Sequence, residues 1–67
     1  MKLHVNGKDE ELPQESPTVV DLLAKLGLTG RPVAVELNKE LVRKRDHATT
    51  TLSQSDRVEV VTLVGGG

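Results

Sequence analysis

The C-terminal end of the chain carries the residues with the clearest chemical potential. Three consecutive glycines, Gly65, Gly66 and Gly67, follow the apolar residues Leu63 and Val64. Glycine packs no side chain and loses more entropy on ordering than any other residue, so this run indicates a function rather than a contribution to the stability of the fold. Because it has no Cβ atoms, such a tail can enter a narrow channel on a partner. We therefore expect the carboxylate of Gly67 to be the reacting group; a frayed terminus is the structural alternative.

A carboxylate is a poor acyl donor until it is activated, usually as an acyl adenylate made with ATP. The glycine run lacks the Lys-Ser/Thr ending and following helix of a phosphate-binding loop, so no cofactor or nucleotide is expected to bind within this chain. ATP is expected to belong to an activating partner. The chain has no cysteine, so sulfur chemistry would have to take its sulfur from elsewhere.

The remaining polar residues offer no catalytic or metal site. His4 and His47 have no partners at metal-ligand spacing, and both are predicted to be structural. The serines lack a nucleophile-elbow pattern, and a triad would need a larger scaffold. Arg43, Lys44 and Arg45 form the only dense basic run. A solvated loop is favoured for this run, and a contact site for the activating enzyme is the sharper alternative.

Length and composition limit the partners. The 67 residues allow one domain. A net charge of −1 and the absence of aromatic side chains argue against nucleic acid, because neither a basic surface nor a stacking platform is available. No segment approaches the roughly 18 apolar residues that span a bilayer. The expected location is the cytoplasm.

Periodicity places the tail at the end of an α+β fold. Lys2 to Asn6 alternates as a strand, and an Asn6-Gly7 turn leads to a charged edge strand from Lys8 to Leu12. Thr18 is predicted to cap a helix of about nine residues with Asp21 as its capping-box partner. The apolar stripe of this helix is Val19, Leu22, Leu23 and Leu26.

The helix and the second half of the chain complete the prediction. Asp21 and Lys25 are four residues apart and can pair on the exposed side of the helix, while Gly27 and Leu28 suit a left-handed C-cap. Further strands are predicted at 33–37, at 41–42 after a turn around 38–39, and at 57–64. Residues 43–55 form an irregular crossing with room for one helical turn.

The first and last strands are the expected parallel central pair beneath the helix. This is the ubiquitin-like β-grasp fold, with a mixed sheet of four to five strands. The domain is predicted to cover residues 1–64, followed by a flexible glycine tail over 65–67.

Several segments in order resemble the ThiS family of sulfur carriers in thiamine biosynthesis. They are Lys2 to Gly7, Thr18 to Leu23, Val33 to Asn38, and Asp56 to Val61 with the ending Val64 to Gly67. Each motif is common by itself, but together they cover essentially the whole chain. The terminal Gly-Gly is the decisive member.

The resemblance implies a non-catalytic carrier. An E1-like adenylyltransferase would adenylate the C-terminal glycine, a cysteine desulfurase or sulfurtransferase would supply sulfur for a thiocarboxylate, and thiazole synthase would receive it. Carried over to this sequence, Gly67 bears the acyl group, Gly66 is its paired glycine and Gly65 extends the tail. Leu63 and Val64 are assigned to partner docking, with core positions as the alternative.

Three other functions remain open at this point. The small subunit of molybdopterin synthase shares the fold, the Gly-Gly ending and the thiocarboxylate chemistry. A ubiquitin-like modifier would form isopeptide adducts in cells. An inert β-grasp interaction module would keep its function after deletion of Gly66 and Gly67.

Overall fold

The computed structural model describes residues 1–63, and the predictions made for Val64 to Gly67 lie outside the described residues. These predictions are the domain boundary at 64 and the flexible tail over 65–67. The elements follow in the order β1 (Lys2–Val5), β2 (Lys8–Glu11), α1 (Val19–Lys25), β3 (Val33–Leu37), β4 (Glu40–Val42), a 3₁₀ turn (Lys44–Asp46) and β5 (Arg57–Thr62).

The strands form one mixed, five-stranded sheet in the order β2-β1-β5-β3-β4. β1 and β5 run parallel at its centre, with Val5 opposite Val58. The β1–β2, β3–β4 and β3–β5 pairs are antiparallel. The predicted β-grasp arrangement, with the first and last strands paired beneath a crossing helix, is therefore confirmed.

Alternation along the strands separates a core face from an outer face. Leu3 and Val5 of β1, Val35 of β3, and Val58 and Val60 of β5 are buried. They form one apolar cluster with Val19, Leu22 and Leu23 of α1. Because α1 has only seven residues, packing against the sheet must supply most of its stability.

Both ends of α1 are closed by the predicted caps. The Thr18 side chain accepts a hydrogen bond from the Asp21 amide, and the Asp21 carboxylate accepts one from the Thr18 amide at 2.8 Å. At the other end, the Gly27 amide donates to Ala24 O (3.0 Å) and the Leu28 amide to Leu23 O (2.8 Å). This is a Schellman motif, and Gly27 has the positive φ of 74° that it requires.

The predicted pairing of Asp21 with Lys25 is wrong. Within residues 1–63 no ion pair joins them, because the Asp21 carboxylate points back to the Thr18 amide. The capping contact is local and satisfies an amide at the helix start, whereas an exposed pair would gain little.

Element ends differ slightly from the prediction. β1 stops at Val5 because Asn6 has a φ of 51° and belongs to the turn. β2 stops at Glu11, although the Leu12 amide still donates to Met1 O at 2.8 Å. The single helical turn in the crossing is confirmed at Lys44–Asp46. No helix within residues 1–63 combines the length and apolar character needed to cross a membrane.

Candidate functional site

The central strand β5 directs the chain towards the predicted reactive tail. Thr62 is paired with Val33 at the end of the strand, and the Leu63 amide then donates to Pro32 O at 2.9 Å. The Leu63 side chain is 51% exposed. The chain therefore leaves the sheet beside the loop that precedes β3, at an accessible position. Val64, Gly65, Gly66 and Gly67, to which docking and chemistry were assigned, lie outside the described residues.

An apolar groove of about 490 Å³ opens at this exit. Its walls come from α1, from the segment 28–33, from the segment 44–48 and from the last described residue. The apolar side chains that line it include Val20, Leu23, Leu28, Pro32, Val33 and Leu63. Leu63 thus lies on a groove wall rather than in the core, and its docking role stays a prediction.

The charges around the groove are of one sign. Arg31 and Lys44 line it, and no carboxylate does so among residues 1–63. A second, smaller groove, lined by Leu41, also contains Glu40 and Asp46. The apolar groove at the tail exit is therefore the one that suits an acidic neighbour.

The structure divides the basic run. Lys44 lines the groove together with Leu63, whereas Arg43 and Arg45 are exposed and do not line it. Lys44 and Arg45 belong to the 3₁₀ turn, in which successive side chains point about one third of a turn apart, whereas Arg43 precedes the turn with an extended backbone. The docking role of Arg43 and Arg45 stays a prediction.

The sequence analysis missed most of the groove. Val20 lies off the apolar stripe of α1 and is 43% exposed, yet it lines the groove with Pro32 and Ala48. An apolar residue at a helix position expected to be polar was the available signal for Val20. Pro32 and Ala48 had no comparable signal, since only the tertiary fold brings their loops together.

His47 is a buried residue that also lines the groove. It is only 5% exposed, and its Nε2 lies 3.1 Å from Val42 O. Since a carbonyl only accepts, Nε2 must carry a proton in this contact. The His47 carbonyl also accepts a hydrogen bond from the Val20 amide at 3.3 Å. These contacts give His47 a structural role, as predicted, and tie the 3₁₀ turn to the start of α1.

His4 is on the outer face of the sheet, where its Nδ1 lies 2.8 Å from Asp9 Oδ1 on β2. This is a cross-strand contact between partners on neighbouring strands. Within residues 1–63, no group of three His, Cys, Asp or Glu side chains is placed to hold a metal ion.

Comparison with known proteins identifies the family. The model of the ThiS family matches residues 3–67. This chain belongs to the ThiS family. It is 40% identical to the sulfur carrier protein ThiS of Bacillus subtilis over 65 residues, which are 97% of this chain and 98% of that relative. The crystal structure of the thiamine biosynthesis protein (ThiS) from Geobacter metallireducens is 38% identical, with a TM-score of 0.83 and full coverage of both chains.

Two further relatives are longer than this chain. The thiazole synthase of Paramagnetospirillum magneticum is 42% identical over all of this chain, but the chain spans only 20% of its length. The thiazole synthase of Magnetococcus marinus shows the same relationship, with 37% identity and 20% of its length. A segment of the ThiS kind is thus part of a larger polypeptide in these relatives.

Family membership decides among the functions that the sequence left open. It confirms the predicted β-grasp fold and the role of a sulfur carrier of thiamine biosynthesis that is not itself an enzyme. The molybdopterin synthase subunit, the protein modifier and the inert module are not favoured.

Proposed function

We propose that this ThiS-family chain carries sulfur as a thiocarboxylate on Gly67. The observation that carries the proposal is the position of the glycine run, which follows the exposed Leu63 at the end of the central strand. An E1-like adenylyltransferase binds the tail together with ATP, which it uses to activate the carboxylate. No cofactor is proposed for the chain itself. The compartment proposed for this chemistry is the cytoplasm.

The loading reaction has two steps. A carboxylate oxygen of Gly67 attacks the α-phosphorus of ATP, and pyrophosphate leaves. Hydrosulfide then attacks the acyl carbon of the adenylate, and AMP leaves with the bonding electron pair. One oxygen of the carboxylate has been exchanged for one sulfur, without a change of oxidation state. A cysteine desulfurase or a sulfurtransferase is the proposed source of the sulfur in cells. Its persulfide attacks the adenylate in place of hydrosulfide and displaces AMP, and a thiol then reduces the resulting acyl disulfide to the thiocarboxylate.

Thiazole synthase is the proposed acceptor. Two relatives that bear this name contain a segment similar to the whole of this chain, which supports a working association between the two kinds of protein. Gly65 and Gly66 are proposed to extend into the partner, because residues without side chains pass a narrow channel most easily. Leu63 and Lys44 are proposed docking residues at its entrance, with Val64 between Leu63 and the glycines.

The test is the intact mass of the chain after incubation with ATP, sulfide and the E1-like enzyme of the same organism. The expected gain corresponds to one sulfur replacing one oxygen. A chain lacking Gly67 should show no gain and should unfold at the same urea concentration, since a terminal glycine contributes no side chain to the core. A normal gain in mass for the truncated chain would show that Gly67 is not the residue that carries the sulfur. Pyrophosphate exchange by the enzyme serves as the control for its activity.

A further inference from the structure

The groove at the tail exit has the properties of an interaction surface. Val20 and Leu63, which line the groove, are 43% and 51% exposed, whereas the core residues are 7% exposed or less. Contiguous exposed apolar surface with a polar rim is characteristic of docking sites on proteins. A volume of about 490 Å³ accommodates a few apolar side chains.

We propose that this groove binds a segment of the acceptor enzyme that presents an apolar side chain flanked by carboxylates. The proposal rests on the function proposed above and names the surface that holds the acceptor during transfer. The apolar side chain enters the groove, and the carboxylates face Arg31 and Lys44.

Charge complementarity supports an acidic occupant. Arg31 comes from the loop before β3 and Lys44 from the 3₁₀ turn, so two separate segments place cations on the same groove. The other groove contains Glu40 and Asp46, and the β2 edge carries Asp9, Glu10 and Glu11. An acidic segment is therefore attracted to the tail exit and repelled by both of those surfaces.

The length of the tail supports a partner at this site. Four residues follow Leu63 up to Gly67, and a fully extended chain reaches at most about 14 Å over that number. An enzyme that acts on the Gly67 thiocarboxylate must therefore lie close to Leu63, which lines the groove. The acceptor is favoured over the activating enzyme because a ThiS-like segment and a thiazole synthase occur in one polypeptide in two relatives.

The test measures the dissociation constant of the chain for the thiazole synthase of the same organism, by calorimetry at low salt. Val20→Glu should raise the dissociation constant at least about tenfold, because it places a charge in the apolar centre. Lys44→Glu should raise it about fivefold and reduce its salt dependence. Leu41→Glu and Arg45→Glu are the matched controls, and each should change it less than about twofold. Leu41 is 67% exposed and does not line this groove, and Arg45 is a neighbour of Lys44 that does not line it either.

Several results would overturn the proposal. One is equal weakening by Lys44→Glu and Arg45→Glu, which would assign binding to the basic run as a whole. Another is weakening by Leu41→Glu as strong as that by Val20→Glu. Self-association that Val20→Glu abolishes would assign the groove to a second copy. Changed amide shifts of Val20 and Ala48 in a chain ending at Leu63 would assign it to the tail. Urea unfolding tests whether each variant folds. If Lys44→Glu does not fold, Arg31→Glu provides a second charge reversal on the same groove.

Sulfur loading of the unaltered chain is measured in parallel by intact mass. Absence of loading would refute the proposed function, whereas the groove is judged only by the dissociation constants of the folded variants. The two failures can therefore be distinguished.

Discussion

The side chain of Asn6 pairs with the main chain of Val60 through two hydrogen bonds. Asn6 Nδ2 donates to Val60 O at 3.0 Å, and the Val60 amide donates to Asn6 Oδ1 at 2.8 Å. The Asn6 amide also donates to Val58 O at 2.9 Å. A turn residue between β1 and β2 thus continues the ladder between β1 and β5, beyond the point where β1 ends. This contact holds the strand that leads to the tail.

Replacing Asn6 should therefore weaken the whole domain. Asn6→Gly keeps the backbone free to adopt the φ of 51° and removes only the side-chain bonds. Because it leaves partly buried main-chain groups of Val60 without these partners, we expect a loss of about 1–3 kcal/mol in the free energy of unfolding. Urea denaturation followed by circular dichroism measures it.

Asn38 provides the matched control. It lies in the β3–β4 turn with a φ of 49°. Its Oδ1 accepts from the Arg57 amide at 3.0 Å, and its Nδ2 donates to Asp56 Oδ1 at 3.1 Å. Both bonds are exposed, so Asn38→Gly should cost less than about 1 kcal/mol. Equal losses for the two variants would contradict the special role given to the Asn6–Val60 pair.

The comparison of Asn6 with its prediction shows what sequence can supply. The Asn-Gly pair correctly predicted a hairpin turn, because local φ preferences decide turns. The bonds to Val60 join residues 54 positions apart and depend on which strand lies beside β1. The alternation of Leu3, Val5, Val58 and Val60 predicted the strands for the same local reason, whereas tertiary contacts fix where Asn6 directs its side chain.

The capping box of α1 gives a second prediction. Asp21→Asn should lower the free energy of unfolding by about 1 kcal/mol, because it weakens the bond to the Thr18 amide and removes a negative charge near the helix start. Lys25→Ala should change it by less than about 0.5 kcal/mol, since alanine favours the helix and no ion pair with Asp21 is lost. Thermal and urea unfolding measure both variants.

A double variant separates the cap from the ion pair that the sequence suggested. If Asp21 acts through Thr18, the losses from Asp21→Asn and Lys25→Ala should add to within about 0.5 kcal/mol. A coupling energy larger than that between Asp21 and Lys25 would show that the ion pair forms in solution.

His47 should exist mainly as the tautomer with the proton on Nε2. Its Nε2 faces Val42 O at 3.1 Å, and a carbonyl can only accept. Long-range ¹H–¹⁵N correlation spectra of the imidazole ring distinguish the tautomers. A proton on Nδ1 in the neutral ring would contradict the hydrogen bond.

Substitution of His47 tests the same contact through stability. His47→Ala should cost about 2–4 kcal/mol, because it removes a buried ring and leaves a cavity. His47→Phe fills most of that space and loses the bond to Val42 O, so it should cost about 1–2 kcal/mol. If the two losses were equal, ring packing would contribute nothing measurable at this position.

The candidate site was predictable from sequence only where one segment carries the signal. The glycine run and Leu63 are separated in the chain by Val64 alone, so the local sequence marked them. The groove joins α1, the loop at Pro32 and the 3₁₀ turn at Lys44, and its existence depends on how these three segments pack. Sequence reasoning identified the charge of Lys44 but could not distinguish its direction from that of Arg45.

The last prediction concerns why the tail consists of glycine. Gly66→Ala and Gly66→Val keep the Gly67 carboxylate and add side chains of increasing size beside it. If the activating enzyme holds the tail in a narrow channel, the rate of sulfur loading should fall in the order Gly, Ala, Val, and for Val by at least about tenfold, or about 1.4 kcal/mol. Intact mass measured over time gives the rate. Ser16→Val, an equally bulky change at an exposed loop position, is the control and should load normally. Normal loading of Gly66→Val would show that the tail does not need to be free of side chains in order to enter the activating enzyme. The carboxylate of Gly67 would then be the only feature of the tail required for sulfur loading.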